Sequence, residues 1–260
     1  MSSELLNDKE IVTSFVKGLK VIMAFDNNNV ELTVSDVAKK IDITRASARR
    51  LLLTLEHLGY VAFNGNKFSL LPKVIELGYS YFSSLPWTDL ALKNMKKVVE
   101  TCKLTCSVSI IDKENITCIL RIPAGRIMNE GIQVGTRLPT AYTSTGRLFM
   151  AHMPEDELKE FIDALPLVAY TKRSITNPAR LYEKILSEKN QSYAMVEEEV
   201  EDGLISIAVP IYNKNREMIA AMNVAAHASY RDAKFIKEEV LPVLKESADK
   251  TTEAITLLQF

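Results

Sequence analysis

The feature that most restricts the fold is a pair of short helix signals, separated by a tight turn, within residues 33–58. Thr33 and Asp36 have the spacing of a capping box, in which each side chain binds a free backbone amide at a helix start. This helix should end near Ile41. The next residues supply a tight turn, and Thr44 is a good N-cap for a second helix. We therefore expect two helices joined by a short turn.

The second of these helices combines a leucine-rich stripe with a group of arginines. Its apolar residues recur at steps of three and four, which predicts one buried face. The residues of this stripe are Ala48, Leu51, Leu52, Leu55 and Leu58. Arg45, Arg49 and Arg50 lie largely off the stripe, in the first two turns, where the helix dipole disfavours cations. The helix dipole therefore does not explain why the arginines lie there, whereas an anionic binding partner would.

A hairpin signal follows. Gly59 ends the helix, and residues 60–71 predict two short strands joined by Asn64-Gly65, with positive φ at both turn residues. An amphipathic helix is also expected before the pair, at residues 14–26, and its buried stripe should contain Phe15, Leu19, Ile22 and Phe25. Three helices followed by a hairpin wing are typical of a winged helix-turn-helix, whose recognition helix enters the major groove of DNA. We expect this mainly helical, DNA-binding domain at residues 1–71.

Charge supports DNA contact only locally. The formal net charge of −1 excludes a generally polybasic protein, so binding to DNA requires a local patch. Residues 39–50 contain five Lys or Arg residues and one acidic residue, Asp42. The predicted DNA-contacting residues are Thr44, Arg45, Ser47, Arg49, Arg50 and Lys67. For an isolated arginine run, an ordinary solvated helix surface would be the alternative.

The rest of the chain predicts a second domain with mixed secondary structure. Residues 72–86 should form a linker helix, and residues 87–260 a domain of the α+β class. Helices are expected at about 89–102, 144–151, 155–163 and 177–189, and strands at about 106–112, 115–122, 206–212 and 218–226.

Residues 143–146, Thr-Ser-Thr-Gly, carry the most chemistry in this domain. They are expected at a helix start, where hydroxyls and free amides together could hold a carboxylate. The alternative is a capping sequence without a ligand. Arg121, Arg126 and Arg137 are candidates to pair with a carboxylate in bidentate geometry. Each could equally be a surface arginine.

Catalytic and metal-binding patterns are missing. His57, His152 and His227 are far apart, and the acidic run EEEVEDG at residues 197–203 is expected to be a solvated loop. There is no GxSxG elbow and no phosphate-binding glycine loop. We therefore expect no metal site, no cofactor and no catalysis.

Cysteine usage and the N-terminus bear on the compartment. Cys102, Cys106 and Cys118 form neither a CxxC pair nor an even disulfide framework. Residues 1–10 have no signal-peptide pattern, and no apolar run is long enough for a membrane span. We expect a soluble cytoplasmic protein without a membrane partner.

Several stretches resemble the IclR family of bacterial transcriptional regulators. These are SFVKGLKVIMAF, LTVSDVAKKIDITRASARRLLLTLEHLGYV and FSLLPKVIELG in the first domain, and VGTRLPTAYTSTGRLFMAHMPEDEL, YAMVEEEVEDGLISIAVPIYNKNREMIAAMNVAAH and LPVLKESADKTTEAI in the second. RIPAGRIMNEGIQVGTRLP is most similar to the branch that senses aromatic acids of the protocatechuate and β-ketoadipate pathways. This sequence departs from the family's pattern at three positions. Asp42 stands where the turn usually has glycine, Thr44 stands where the second helix often begins with proline, and Val196 stands where the family often has an acidic residue.

The resemblance implies a GAF-like effector-binding domain, an operator on double-stranded DNA, and a homodimer that can form a dimer of dimers. The residues that match the family's pocket are Ile127, Leu138, Ser144, Thr145, Val196, Ser206, Asn223 and Ala225, with Arg121 and Arg137 added as carboxylate partners.

The sequence thus favours a DNA-binding regulator that responds to a small organic acid, aromatic or dicarboxylic. One alternative is an enzyme acting on such an acid, with the first domain as an interaction module. Another is a DNA-binding protein that needs no ligand.

Overall fold

The computed structural model describes residues 10–125 and 131–258, and the chain divides into two compact units, Met1–Leu85 and Pro86–Phe260. The helices are α1 Thr13–Met23, α2 Val34–Lys40, α3 Arg45–His57, α4 Ile75–Phe82, α5 Thr88–Cys102, α6 Ser144–His152, α7 Glu155–Ala164, α8 Pro178–Glu188, α9 Ala233–Phe235 and α10 Leu241–Leu257. The strands are β1 Glu31–Leu32, β2 Val61–Phe63, β3 Phe68–Leu70, β4 Thr105–Asp112, β5 Asn115–Ile122, β6 Arg137–Pro139, β7 Ala194–Glu197, β8 Leu204–Tyr212 and β9 Met218–His227.

Local side-chain to backbone bonds set the helix-turn-helix of the first unit. The Asp36 amide donates to Thr33 Oγ1 at 3.2 Å, and the Thr33 amide donates to Asp36 Oδ2 at 2.9 Å, so the predicted capping box is present. Asp42 adopts φ +54° in the turn, a conformation that Asp tolerates better than most residues. Thr44 then caps α3 by accepting a bond from the Ser47 amide at 3.2 Å. The two helices and their short turn are confirmed.

The hairpin differs from its prediction in the turn. Only Gly65 has positive φ, whereas Asn64 acts through its side chain, whose Oδ1 accepts bonds from the amides of Asn66 and Lys67. The turn is therefore an Asx-type loop, not a two-residue turn with positive φ at both positions. β1 adds a third strand beside β3.

The apolar stripe of α1 is only partly buried. Phe25 lies in the core, but Phe15 is 67% exposed and Leu19 is 42% exposed, so the prediction that both face the core is wrong. In α3, Ala48, Leu52 and Leu55 are buried as expected. Leu58, the C-cap residue, is exposed, so the prediction that it belongs to the buried stripe is wrong.

The second unit is built on an antiparallel sheet of order β6-β5-β4-β9-β8-β7. β4 and β5 pair through Ser107 with Arg121 and Ser109 with Cys118, and one extra residue of β5 bulges out between these pairs. α5 and α10 contact each other and the sheet, whereas α6 contacts β7, β8 and β9. The predicted α+β architecture is confirmed.

β4 presents apolar side chains to one face of the sheet and polar side chains to the other. Cys106 and Val108 of β4 are fully buried and alternate with Thr105, Ser107 and Ser109, so the two sets point to opposite faces.

Within the described ranges, no helix combines the length and apolar character needed to cross a bilayer.

Candidate nucleic-acid interface and ligand cavity

The start of α3 presents an exposed basic surface. The side chains of Arg45, Arg49 and Arg50 are exposed, and none of them forms an ion pair with a described residue. Arg45 and Arg49 are one turn apart and share a helix face. The opposite face carries Leu52 and Leu55 into the core, so the helix is held while its arginines remain accessible.

The other predicted DNA-contacting residues lie either at the start of α3, beside these arginines in the sequence, or on the hairpin. Thr44 is exposed but its hydroxyl caps α3, and Ser47 is half-buried. Lys67 lies in the Asx-type loop, immediately before β3, and is half-buried.

The second unit contains a cavity of about 290 Å³ on the polar face of its sheet. The predicted residues that line it are Leu138, Ser144, Thr145, Val196, Ser206, Asn223, Ala225 and Arg121. These residues come from six elements, the strands β5, β6, β7, β8 and β9 and the start of α6, which meet at one site. Ile127 and Arg126 lie outside the described residues.

Arg137 is not brought to the cavity. Its guanidinium is half-exposed and pairs with Asp112 at 2.9 Å, and the residue is absent from the cavity wall, although it was predicted to contact the ligand. Arg121, on the neighbouring strand, does line the wall and donates from Nη1 to Ser107 Oγ at 3.2 Å. Burial lowers the pKa of the Arg121 guanidinium from its ordinary value.

The floor of the cavity carries hydroxyl groups that are not among the ligand-contacting residues predicted from the sequence. Thr105, Ser107 and Ser109 of β4 line it, with Cys118 of β5 beside them. Burial raises the pKa of the Cys118 thiol, which opposes formation of the thiolate. Alternation of small polar residues with apolar ones along β4 is the signal that could have identified this floor.

The start of α6 closes another side of the cavity. Thr143 caps the helix by accepting a bond from the Gly146 amide at 3.1 Å, and Ser144 and Thr145 line the wall. The Thr145 hydroxyl is buried and has no hydrogen-bond partner among the described residues. An unpaired buried hydroxyl costs free energy, so its position beside the free amides of a helix start indicates a ligand site.

One carboxylate of the predicted solvated loop is buried. Glu199 is 8% exposed, lines the cavity, and accepts two bonds from Arg147 Nη2, at 2.9 Å to Oε1 and 2.7 Å to Oε2. The prediction that the whole acidic run is solvated is therefore wrong. Its neighbours Glu197 and Glu201 are exposed.

Other reactive groups form no cluster. In the described part of the chain, no three His, Cys, Asp or Glu side chains are grouped to hold a metal ion. Cys102, Cys106 and Cys118 are buried free thiols.

Comparison with known proteins identifies both units. The IclR helix-turn-helix domain matches residues 14–65, and the bacterial transcriptional regulator IclR C-terminal domain matches residues 79–255. The Pca regulon regulatory protein of Pseudomonas putida is 34% identical over 238 residues, which are 91% of this chain and 82% of that protein. The p-hydroxybenzoate hydroxylase transcriptional activator of Acinetobacter baylyi is 30% identical over 254 residues, 96% of this chain and 94% of that protein.

A solved structure shows the same fold at lower identity. An IclR homolog from Microbacterium hydrocarbonoxydans, complexed with 4-hydroxybenzoate, has a TM-score of 0.81 at 19% identity, over 94% of this chain and 99% of that chain. The two family domains together span most of the chain, in the order that the two units have in the structure. The chain therefore belongs to the IclR family of bacterial transcriptional regulators, and it is a ligand-responsive DNA-binding protein rather than an enzyme.

Proposed function

We propose that the cavity of the second unit binds the carboxylate of a small organic acid at the start of α6, and that the arginines of α3 contact the operator. The observation that carries the first part is the buried Thr145 hydroxyl beside the α6 amides, which has no hydrogen-bond partner among the residues that the structure describes. The apolar wall residues Leu138, Val196 and Ala225 suit an aromatic ring or a short carbon chain. Relatives named for Pca and p-hydroxybenzoate regulation support an aromatic acid, or a dicarboxylate derived from one.

Ligand binding then changes operator affinity by favouring one of two arrangements of the protein. On this proposal, Arg45 and Arg49 contact bases or phosphates, and Ser47, Arg50, Thr44 and Lys67 assist at the backbone. We place the protein in the cytoplasm, where the operator is.

Replacing Thr145 by valine removes only the hydroxyl and keeps the shape. We expect the affinity for 4-hydroxybenzoate, or another acid of a protocatechuate-pathway panel that binds, to fall about tenfold or more, because a hydrogen bond to a carboxylate is lost. The apo protein should be as stable as wild type or more stable, since an unpaired buried hydroxyl is removed. Isothermal titration calorimetry and thermal unfolding measure the two effects.

Thr251→Val provides the matched control. The Thr251 hydroxyl, on α10, is equally buried. It has two partners, because it donates to the Ser247 carbonyl at 2.9 Å and accepts a bond from Asn94 of α5 at 2.9 Å. This variant should lose stability and keep its ligand affinity. A Thr145→Val protein that binds every acid of the panel as tightly as wild type would refute the carboxylate site.

We also propose a homodimer formed through α1, with a dimer of dimers as a further assembly. The exposed apolar side chains of this helix and of its N-cap residue form one stripe: Val12, Phe15, Val16, Leu19 and Met23. A stripe of this kind, next to a DNA-reading helix, suits a two-fold pair that reads two half-sites.

Phe15→Glu should weaken this dimer and, with it, cooperative binding to a two-half-site operator, because a charge replaces a side chain buried on association. Analytical ultracentrifugation measures the assembly. Val134→Glu, which changes an exposed valine of the second unit, serves as the control. An unchanged dimer dissociation constant for Phe15→Glu would contradict this interface.

A further inference from the structure

A buried ion pair joins three segments that line the cavity. Arg147 of α6 is fully buried, and its Nη2 donates to both carboxylate oxygens of Glu199 in the loop between β7 and β8. Its Nε donates to the Ala141 carbonyl at 2.6 Å, in the turn that leads into α6. One guanidinium thus fixes the helix start, the preceding turn and the acidic loop relative to one another.

The acidic loop is also held from its outer side. Ser174 Oγ donates to the Glu199 carbonyl at 2.6 Å, and Arg173 Nε pairs with Glu198 Oε2 at 2.8 Å. The loop closes at Gly203, whose backbone packs against the His227 ring. Glu199, Val200 and Glu201 of this loop form a wall of the cavity.

A carboxylate in that wall conflicts with an anionic ligand unless its charge is cancelled. Like charges in a partly dry cavity repel strongly, since the effective dielectric constant there is far below that of water. Arg147 cancels the Glu199 charge from behind, without itself lining the cavity. Among the described residues, the other charged or titratable groups near Glu199 include Glu188 of α8, Tyr142, Glu198 and Glu201, and Arg121 and Cys118 line the same cavity.

We propose that Arg147 is a positioning residue for effector recognition: it fixes the acidic loop as a cavity wall and neutralises Glu199, so that an anion can bind at the start of α6. This inference rests on the proposed carboxylate site. A single nitrogen, Nη2, contacts both carboxylate oxygens, and the pair is nearly dry. Its two partners are 52 residues apart in the sequence, so the pair links two distant segments in one arrangement.

Burial already raises the pKa of the Glu199 carboxyl group, whereas Arg147 acts in the opposite direction. In an Arg147→Met variant the carboxyl group would stay buried without its cation, and its pKa would rise further. The group would then be neutral at lower pH and would ionise as the pH increases. Ionised Glu199 would repel an anionic ligand, so the variant should lose affinity for the acid with rising pH.

The test uses the full-length protein and two probes of the same shape, 4-hydroxybenzoate and 4-hydroxybenzamide, titrated between pH 5.5 and 7.5, where the phenol groups of both stay protonated and the amide is neutral. Wild type should prefer the acid with a nearly constant affinity. Arg147→Met should bind the acid about tenfold or more weakly at pH 7.5 than wild type, approach wild type at pH 5.5, and show no such pH trend with the amide.

The double variant Arg147→Met/Glu199→Gln removes both charges and should restore a flat pH profile, with an acid affinity within about threefold of wild type. It also keeps the proposal testable if the single variant does not fold, because no unpaired charge remains buried. Lys97→Met, which breaks the exposed ion pair with Glu246 between α5 and α10, is the control and should behave like wild type.

The possible failures are distinguishable. If Arg147→Met weakens the binding of the acid and of the amide equally at every pH, this inference is wrong while the carboxylate site stands. The same holds if the double variant retains the pH trend in its affinity for the acid. If wild type binds the amide as tightly as the acid, the carboxylate site is wrong and the inference falls with it.

Discussion

Simultaneous replacement of Arg45 and Arg49 by alanine should weaken specific operator binding by about 30-fold or more at physiological salt, because each base-reading arginine contributes about 1 to 3 kcal/mol. Both side chains are exposed, lie one turn apart and form no ion pair with a described residue. Removing them should therefore leave the thermal stability of the first unit nearly unchanged. Fluorescence anisotropy with a fragment of the promoter that the protein footprints measures the affinity.

Two further measurements sharpen this prediction. The salt dependence of binding separates phosphate contacts, whose loss reduces the slope, from base contacts, whose loss relaxes sequence preference at one position. Lys93→Ala/Lys96→Ala removes the same charge from the exposed surface of α5 and should leave specific binding close to wild type. Normal footprinting by the Arg45/Arg49 variant would show that α3 does not read the operator through these side chains.

Gly146→Ala should destabilise the second unit by about 3 kcal/mol or more, at the upper end for overpacked sites. A Cβ at this position would lie 2.0 Å from the Thr140 carbonyl oxygen and 2.6 Å from the Thr140 carbonyl carbon. Both are backbone atoms of the turn that precedes α6, so neither can rotate away. The start of α6 must shift, and effector binding should be lost together with stability.

Thermal unfolding, with and without the effector, measures both consequences. Gly78→Ala is the control, since Gly78 lies in α4 and a Cβ there would have nothing within 4 Å. This change should stabilise by up to about 1 kcal/mol, because alanine is the better helix former. A Gly146→Ala protein with wild-type stability would mean that the turn and α6 are not held in close contact.

Features that depend on a few neighbouring residues could be predicted from the sequence. The capping box at Thr33, the left-handed Asp42 and the Thr44 cap each involve atoms within three or four residues, and all are present. The order of helices and hairpin then suffices for a winged helix-turn-helix.

Features that depend on distant partners could not be predicted. An amphipathic pattern shows that α1 has an apolar face, but not whether the same chain covers it, and Phe15 is exposed. The acidic run looks uniformly solvated, since the burial of Glu199 depends on an arginine 52 residues away. The sequence alone does not distinguish Arg121 from Arg137 as a ligand contact. Only the strand register places Arg121 in the cavity and Arg137 on the surface.

The extra residue in β5 determines which way Arg121 faces. Cys118 and Arg121 are an odd number of positions apart, so in a regular strand they would lie on opposite faces. The bulge after the Ser109–Cys118 pair shifts the phase of alternation, and both side chains face the cavity. Deleting Ile119 would leave Cys118 and Arg121 two positions apart in a regular strand, so both side chains should still face the cavity. A relative that is one residue shorter at this point of the strand can therefore present the same arginine to its cavity, whereas a chain of this length needs the bulge to do so.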